Sequence, residues 1–92
     1  MYLGVIDVNP QNDYILLLTF ENGEKRIFDL SKYLDHGVFS ELRDSNIFKS
    51  VKIAFDSIEW SNGVDIEPEE LYENSVPIVA SHINLTIPRT LS

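Results

Sequence analysis

The residues with the greatest potential for chemistry are five carboxylates in the second half of the chain. They are Asp65, Glu67, Glu69, Glu70 and Glu73. Converging oxygens of this kind can hold a divalent cation or work as a general acid and base. However, the spacing of a calcium-binding loop, with its central glycine and terminal glutamate, is absent from this stretch. Two of the five are also explained by a helix that begins at Pro68, so we predict no metal site.

Nucleophilic and nucleotide-binding chemistry finds no support in the sequence. The chain has no cysteine, two histidines (His36 and His82) and no Gly-x-Ser-x-Gly elbow, so a catalytic triad could be assembled only by choosing residues freely. His36 stands before Gly37 and is interpreted as a helix-end residue. The four glycines lie far apart and form no phosphate-binding loop. We therefore expect a non-enzymatic protein without a cofactor.

The charge of the chain indicates what kind of partner it meets. Fifteen Asp and Glu against seven Lys and Arg give a formal net charge of −8, which repels nucleic-acid phosphates and argues against direct nucleic-acid binding. The acidity is explained either by ordinary solubility or by a docking surface for a basic protein. No apolar run approaches the ~18 residues of a membrane span, and the first residues lack the basic region of a secretion signal. We expect no membrane contact and a cytoplasmic location.

A small antiparallel sheet is predicted to carry these residues. Asn22-Gly23 is a strong hairpin signal, because both residues tolerate the positive φ of a type I′ turn, and Asn62-Gly63 predicts a second hairpin. The first hairpin and the strand before it form an N-terminal meander of three strands. The predicted strands are residues 5–8, 14–20 and 25–29 in the meander, and 58–60 and 64–66 in the second hairpin.

Short helices complete the predicted α+β fold. Between Leu30 and Leu42 apolar residues recur at three and four positions, which predicts two helices separated by His36-Gly37 and ended by residues 44–46. Alternation from Phe48 to Phe55 predicts a further strand. Pro68 and the carboxylates that follow it predict a third helix.

The second strand is apolar on both faces, and the helices can cover only one of them. Ile15 and Leu17 lie on the other face and need a cover of their own. The tail, residues 76–92, is nearly uncharged, and its apolar residues alternate with polar ones in the pattern of a strand. These are Ile83, Leu85 and Ile87. They either fold back on the same chain or cross to a second protomer, and we favour the exchange, which would make a homodimer.

Trp60, the one tryptophan, has two interpretations. Tryptophan is common among the residues that dominate protein interfaces, which makes Trp60 a candidate interface residue together with the tail residues. Packing in the core or on the hairpin is the more ordinary role for such a side chain.

Several short motifs of the chain are familiar as a set. They are Phe20-Glu21-Asn22-Gly23-Glu24, Phe28-Asp29-Leu30, Trp60, Asn62-Gly63, Asp65-Ile66, Pro68-Glu69 and Leu71-Tyr72. Together they resemble a bacterial family, domain of unknown function 2442, over roughly residues 5–75. The resemblance implies a small α+β fold and no known enzyme activity. It also implies that some relatives carry a helix-turn-helix DNA-binding domain after this module, and that others are encoded beside another small protein in an arrangement suggestive of toxin–antitoxin pairs.

These observations predict a domain at residues 1–75 and a strand-like tail at 76–92. The expected function is a non-enzymatic protein-interaction module, an accessory or antitoxin-like regulator that binds a small basic protein. Two alternatives stay open at this point. One is a small cation-dependent hydrolase that uses the carboxylates from Asp65 to Glu73, and the other is a phage-type acidic mimic of nucleic acid.

Overall fold

Two antiparallel sheets and several short helices form residues 3–78, the part of the chain that the computed structural model describes. The strands are β1 (Val5–Pro10), β2 (Ile15–Phe20), β3 (Lys25–Asp29), β4 (Lys52–Ala54), β5 (Ser57–Glu59), β6 (Asp65–Ile66) and β7 (Val76–Pro77). The α-helices are α1 (Ser45–Phe48) and α2 (Pro68–Asn74), and 3₁₀ turns occupy Asn12–Tyr14, Leu30–Tyr33 and Gly37–Arg43. The predicted α+β class is confirmed.

The first sheet is the predicted meander with a fourth strand added at its edge. Its order is β1-β2-β3-β7, and every neighbouring pair is antiparallel. β7 is formed by the first residues of the tail, and it pairs Val76 with Ile27 of β3. The second sheet has the order β4-β5-β6 and contains the second predicted hairpin.

Both Asn-Gly hairpins form, but not with the predicted type I′ turn. Gly23 and Gly63 have positive φ, at 86° and 91°, whereas the asparagine before each of them does not. Each asparagine instead accepts a hydrogen bond at its side-chain oxygen from the backbone N–H two residues later, Asn22 from Glu24 at 2.9 Å and Asn62 from Val64 at 3.1 Å. This local bond holds the asparagine in an ordinary conformation, so only the glycine turns left-handed.

The middle of the chain departs from the predicted boundaries in two places. Asp44 ends the 3₁₀ turn Gly37–Arg43, as predicted, but Ser45 and Asn46 do not continue a turn: Asp44 also begins α1, because its side chain accepts a hydrogen bond from the N–H of Asn46 at 2.9 Å. Aspartate serves as a turn residue and as a helix cap, and the sequence pattern cannot separate the two roles. The strand predicted from Phe48 to Phe55 is only β4, since Phe48 closes α1 and Phe55 lies in the turn after β4.

One hydrophobic core fills the space between the two sheets and the helices. Alternate residues of β2 are completely buried in it. Leu42 of the 3₁₀ turn Gly37–Arg43, Ile58 of β5 and Leu71 of α2 are completely buried in the same core. The buried members of β2 are Leu16, Leu18 and Phe20. Among the described residues, no helix is long and apolar enough to cross a membrane.

Candidate interaction site at the Phe55 hairpin

The turn between β4 and β5 holds an aromatic side chain away from the core. Phe55 and Asp56 both have positive φ, at 52° and 65°, and connect Ala54 directly to its partner Ser57. This is the backbone of a type I′ turn, which normally selects asparagine and glycine. A bulky residue is strained there, by about 1–2 kcal/mol. Phe55 is nevertheless 92% exposed, the most exposed large apolar side chain in the described part of the chain.

The turn is fixed in place by the N-terminal strand. The N–H of Val5 donates to the backbone oxygen of Asp56 at 3.0 Å. Gly4 lies so close that a Cβ atom at this position would come within 3.2 Å of the Asp56 Cβ. The N–H of Gly4 in turn donates to the Glu21 carboxylate at 2.5 Å. These contacts fix the turn against the N-terminal segment, so Phe55 is exposed in a defined position.

A groove of about 120 Å³ lies beside the turn. Ala54, Phe55, Ser57, Ile58, Glu59, Asp65, Ile66, Glu67 and Pro68 line it. Three of these residues carry carboxylates, and none is lysine or arginine. The site, here called the Phe55 groove, thus combines an exposed ring with negative charge.

The side chains that line the Phe55 groove suit the binding of a positively charged group. Ser57 is its one hydroxyl, and that side chain is buried and donates to the Ile66 backbone oxygen at 2.5 Å, so it is not poised as a nucleophile. Carboxylates beside an aromatic ring suit a cationic side chain, because the carboxylates attract the charge and the ring face attracts it as well.

The predicted carboxylate group is divided between two places. Asp65 and Glu67 belong to the Phe55 groove, whereas the other three lie in α2. Glu69 and Glu70 are in its first turn, as the helix-start interpretation expected, and Glu73 is near its end. Glu70 accepts a long hydrogen bond from the Tyr33 hydroxyl at 3.4 Å. Over residues 3–78, no three His, Cys, Asp or Glu side chains are grouped in a way that could hold a metal ion.

The other sequence candidates lie elsewhere. His36 is exposed and stands immediately before the 3₁₀ turn Gly37–Arg43, with no side-chain cap bond. Trp60 is only 1% exposed, and its indole Nε1 donates to the Phe48 backbone oxygen at 3.0 Å, which places it in the core. His82 and the tail candidates Ile83, Leu85 and Ile87 lie outside the described residues.

A buried arginine network is the polar cluster that sequence reasoning missed. Arg26 donates to the Ser75 hydroxyl at 2.6 Å, to the Ser75 backbone oxygen at 2.8 Å and to Glu24. Its guanidinium lies 4.1 Å from the centre of the Tyr72 ring, and the Tyr72 hydroxyl donates to Glu24 at 2.9 Å. The network joins β3 to α2 and its C-terminus. Because these three hydrogen bonds lie within the chain, they tie the two elements together.

Hydrogen bonding in this network shifts two pKa values. The bond from Tyr72 and the bond from Arg26 lower the pKa of Glu24 below 4.5. The same Tyr72 bond, with partial burial of the ring, raises the pKa of Tyr72 above 10.0. Glu24 therefore stays charged and Tyr72 stays protonated over the physiological range of pH.

Comparison with known proteins gives one match. A family model described as "Protein of unknown function (DUF2442)" matches residues 5–77. No curated protein and no solved structure matches the chain significantly.

Proposed function

Since the chain belongs to the DUF2442 family, as the sequence resemblance predicted, and that family has no known function, we propose from the chain's own surface that it is a non-enzymatic protein-interaction module that binds a small basic protein. The observation that carries the proposal is Phe55, 92% exposed on a strained turn beside an acidic groove.

The exposure and the strain of Phe55 both favour a binding role. An exposed ring loses the ~25 cal/mol per Å² that burial of its apolar surface would contribute. The positive φ adds a second cost, and such outliers cluster at functional sites. A partner that covers the ring recovers the first cost without disturbing the core. Aromatic side chains of this kind are frequent anchors of protein interfaces.

The charge around the ring favours a basic partner. Glu59, Asp65 and Glu67 line the same groove, and the chain as a whole carries −8. A lysine or arginine of the partner can lay its apolar stem along Phe55 and direct its charged end towards these carboxylates. The overall charge would also speed the encounter with a basic protein.

The proposed biological role is that of an accessory or antitoxin-like regulator, located in the cytoplasm. An acidic module that covers the basic surface of a small protein would prevent that surface from reaching its own target. The location is tested by fractionation of the native host, and the role by loss of the partner's effect when this chain is produced with it.

The binding test compares two exposed apolar side chains. The tagged chain is purified from its native host, the protein recovered with it is identified and produced separately, and the affinity is measured by isothermal titration calorimetry. We expect Phe55→Ala to weaken binding at least tenfold, about 1.4 kcal/mol. The control is Val38→Ala, because Val38 is 61% exposed in the 3₁₀ turn Gly37–Arg43 and lies outside the groove.

Two further readouts complete the test. Added salt should weaken the wild-type complex, since part of the attraction is electrostatic. The proposal fails if no basic protein is recovered, or if Phe55→Ala binds as tightly as Val38→Ala.

A further inference from the structure

One face of the first sheet is left open by the described elements. Ile15, Leu17 and Ile27 are half-buried on this face, and none of them packs against the core cluster. Val76 and Ile78 are 59% and 40% exposed. Apolar side chains on a sheet face normally pack against a second layer.

The register places part of this face in a continuous apolar row. Leu17 pairs with Ile27, and Ile27 pairs with Val76, so the three side chains lie side by side across β2, β3 and β7. Directly paired residues of antiparallel strands point to the same face and contact each other. The row therefore crosses three strands, and it is here called the open row.

The chain leaves the sheet next to the open row. The N–H of Ile78 donates to the backbone oxygen of Lys25 at 3.0 Å, which brings the last described residue to the hairpin end of the sheet. Residues 79–92 follow, and fully extended they would reach about 45 Å. β2 is about 20 Å long. The segment is therefore long enough to turn at the hairpin and cross the whole face.

The sheet face that carries the open row has a small area, which argues against a second protomer as its cover. Three strands at about 4.8 Å spacing and a length of about 20 Å give an area of roughly 300 Å². A stable interface between two proteins buries about 800 Å² on each partner. A segment already tied to the sheet needs less area, because it pays no cost of bringing two molecules together.

We propose that residues 79–92 fold back within the same chain and cover the open row. Ile83, Leu85 and Ile87 alternate with polar residues, so one side of an extended segment matches the row with three apolar side chains. The polar side of the segment then faces water. This cover is separate from the Phe55 groove, and the inference does not rest on the proposed function.

The absence of cysteine allows a direct test in the full chain. Leu17→Cys and Leu85→Cys are combined, the protein is mildly oxidised, and the products are separated without reductant and weighed by mass spectrometry. We expect a disulfide within one chain, since covered residues bring their Cα atoms within the 4.4–6.8 Å that the bond requires. The matched control combines Leu17→Cys with Asn84→Cys, which should cross-link at least several-fold more slowly.

The other outcomes are decisive as well. A disulfide between two chains would show that a second protomer supplies the cover, and equal rates for the two pairs, or no disulfide, would also overturn the proposal. A second comparison needs no cysteine, so it does not depend on the correct folding of the Leu17→Cys variants. Leu85→Asp should increase the fluorescence of a dye that binds exposed apolar surface, whereas Asn84→Asp should not, and equal signals would contradict the cover.

Discussion

Glu24, Arg26 and Tyr72 contact one another at the junction of β3 and α2: Arg26 and Tyr72 each donate a hydrogen bond to Glu24, and the Arg26 guanidinium lies over the Tyr72 ring. The bonds from Tyr72 and Arg26 favour the charged form of Glu24, and the bond to Glu24 favours the protonated form of Tyr72. The guanidinium is almost fully buried, and Ser75 satisfies two of its donors. Buried charge is costly unless it is paired and hydrogen-bonded, so the network stabilises the fold only while it is complete.

The network predicts a loss of stability in acid. Because the pKa of Glu24 is lower in the folded chain than its ordinary 4.5, its contribution is complete above pH 4.5 and is lost as the pH falls through the folded value. We expect Glu24→Gln to reduce the slope of the free energy of unfolding against pH in that window, measured by urea denaturation. Glu73→Gln, an exposed carboxylate outside the network, is the control. An unchanged slope in Glu24→Gln would contradict the assignment.

At the scale of elements, a backbone hydrogen bond helps to join the two sheets. The turn after β4 bonds to β1 through Asp56 and Val5, and Gly4 provides the space for that approach. Strands β1 and β4, which are far apart in sequence, also contact each other. The position of Phe55 therefore depends on a residue more than fifty positions away in sequence.

Gly4→Ala tests this contact. The added Cβ would lie 3.2 Å from the Asp56 Cβ and 3.3 Å from the Glu21 carboxylate, so these neighbours must move by a few tenths of an ångström. We expect a destabilisation of about 1–2 kcal/mol in urea denaturation. We also expect faster hydrogen exchange of the Val5 amide, whose bond to the turn would lengthen. Wild-type stability together with wild-type exchange at Val5 would show that the approach is not tight.

The sequence predicted the elements that depend on local chemistry. The two Asn-Gly hairpins and the helix after Glu67 follow from residues within a few positions of each turn or cap, and all three form. Phe55-Asp56 was not predicted as a turn, because phenylalanine is rare at positive φ and a contact with Val5, distant in sequence, holds the turn. Arg26 was missed for a similar reason: alternation places it on the face of Phe28, but a charged residue is not expected in a core until its partners are known.

For the molecule as a whole, negative charge is in large excess over positive charge. The chain carries −8, while the described residues form two ion pairs, Arg26 with Glu24 and Arg43 with Asp35. Because fifteen acidic residues face seven basic ones, the carboxylates on the surface repel one another on balance. This repulsion disfavours the compact state and is screened by salt.

Salt should therefore stabilise the protein. We expect sodium chloride to raise the melting temperature by about 5 °C between low and high concentration, which corresponds to on the order of 1 kcal/mol for a chain of this size. Differential scanning calorimetry gives the measurement, and potassium chloride should act alike if the effect is screening. A fall in melting temperature would mean that attractive pairs dominate the surface.

The position of Trp60 gives the molecule a built-in optical reporter. This one indole lies between α1 and the second sheet, bonded to the Phe48 backbone, in the core that the first sheet also shares. Its fluorescence emission should be blue-shifted in the native state and move to longer wavelengths when water reaches the ring. Loosening of either sheet would alter that signal, so one spectroscopic trace can follow the unfolding of the whole core.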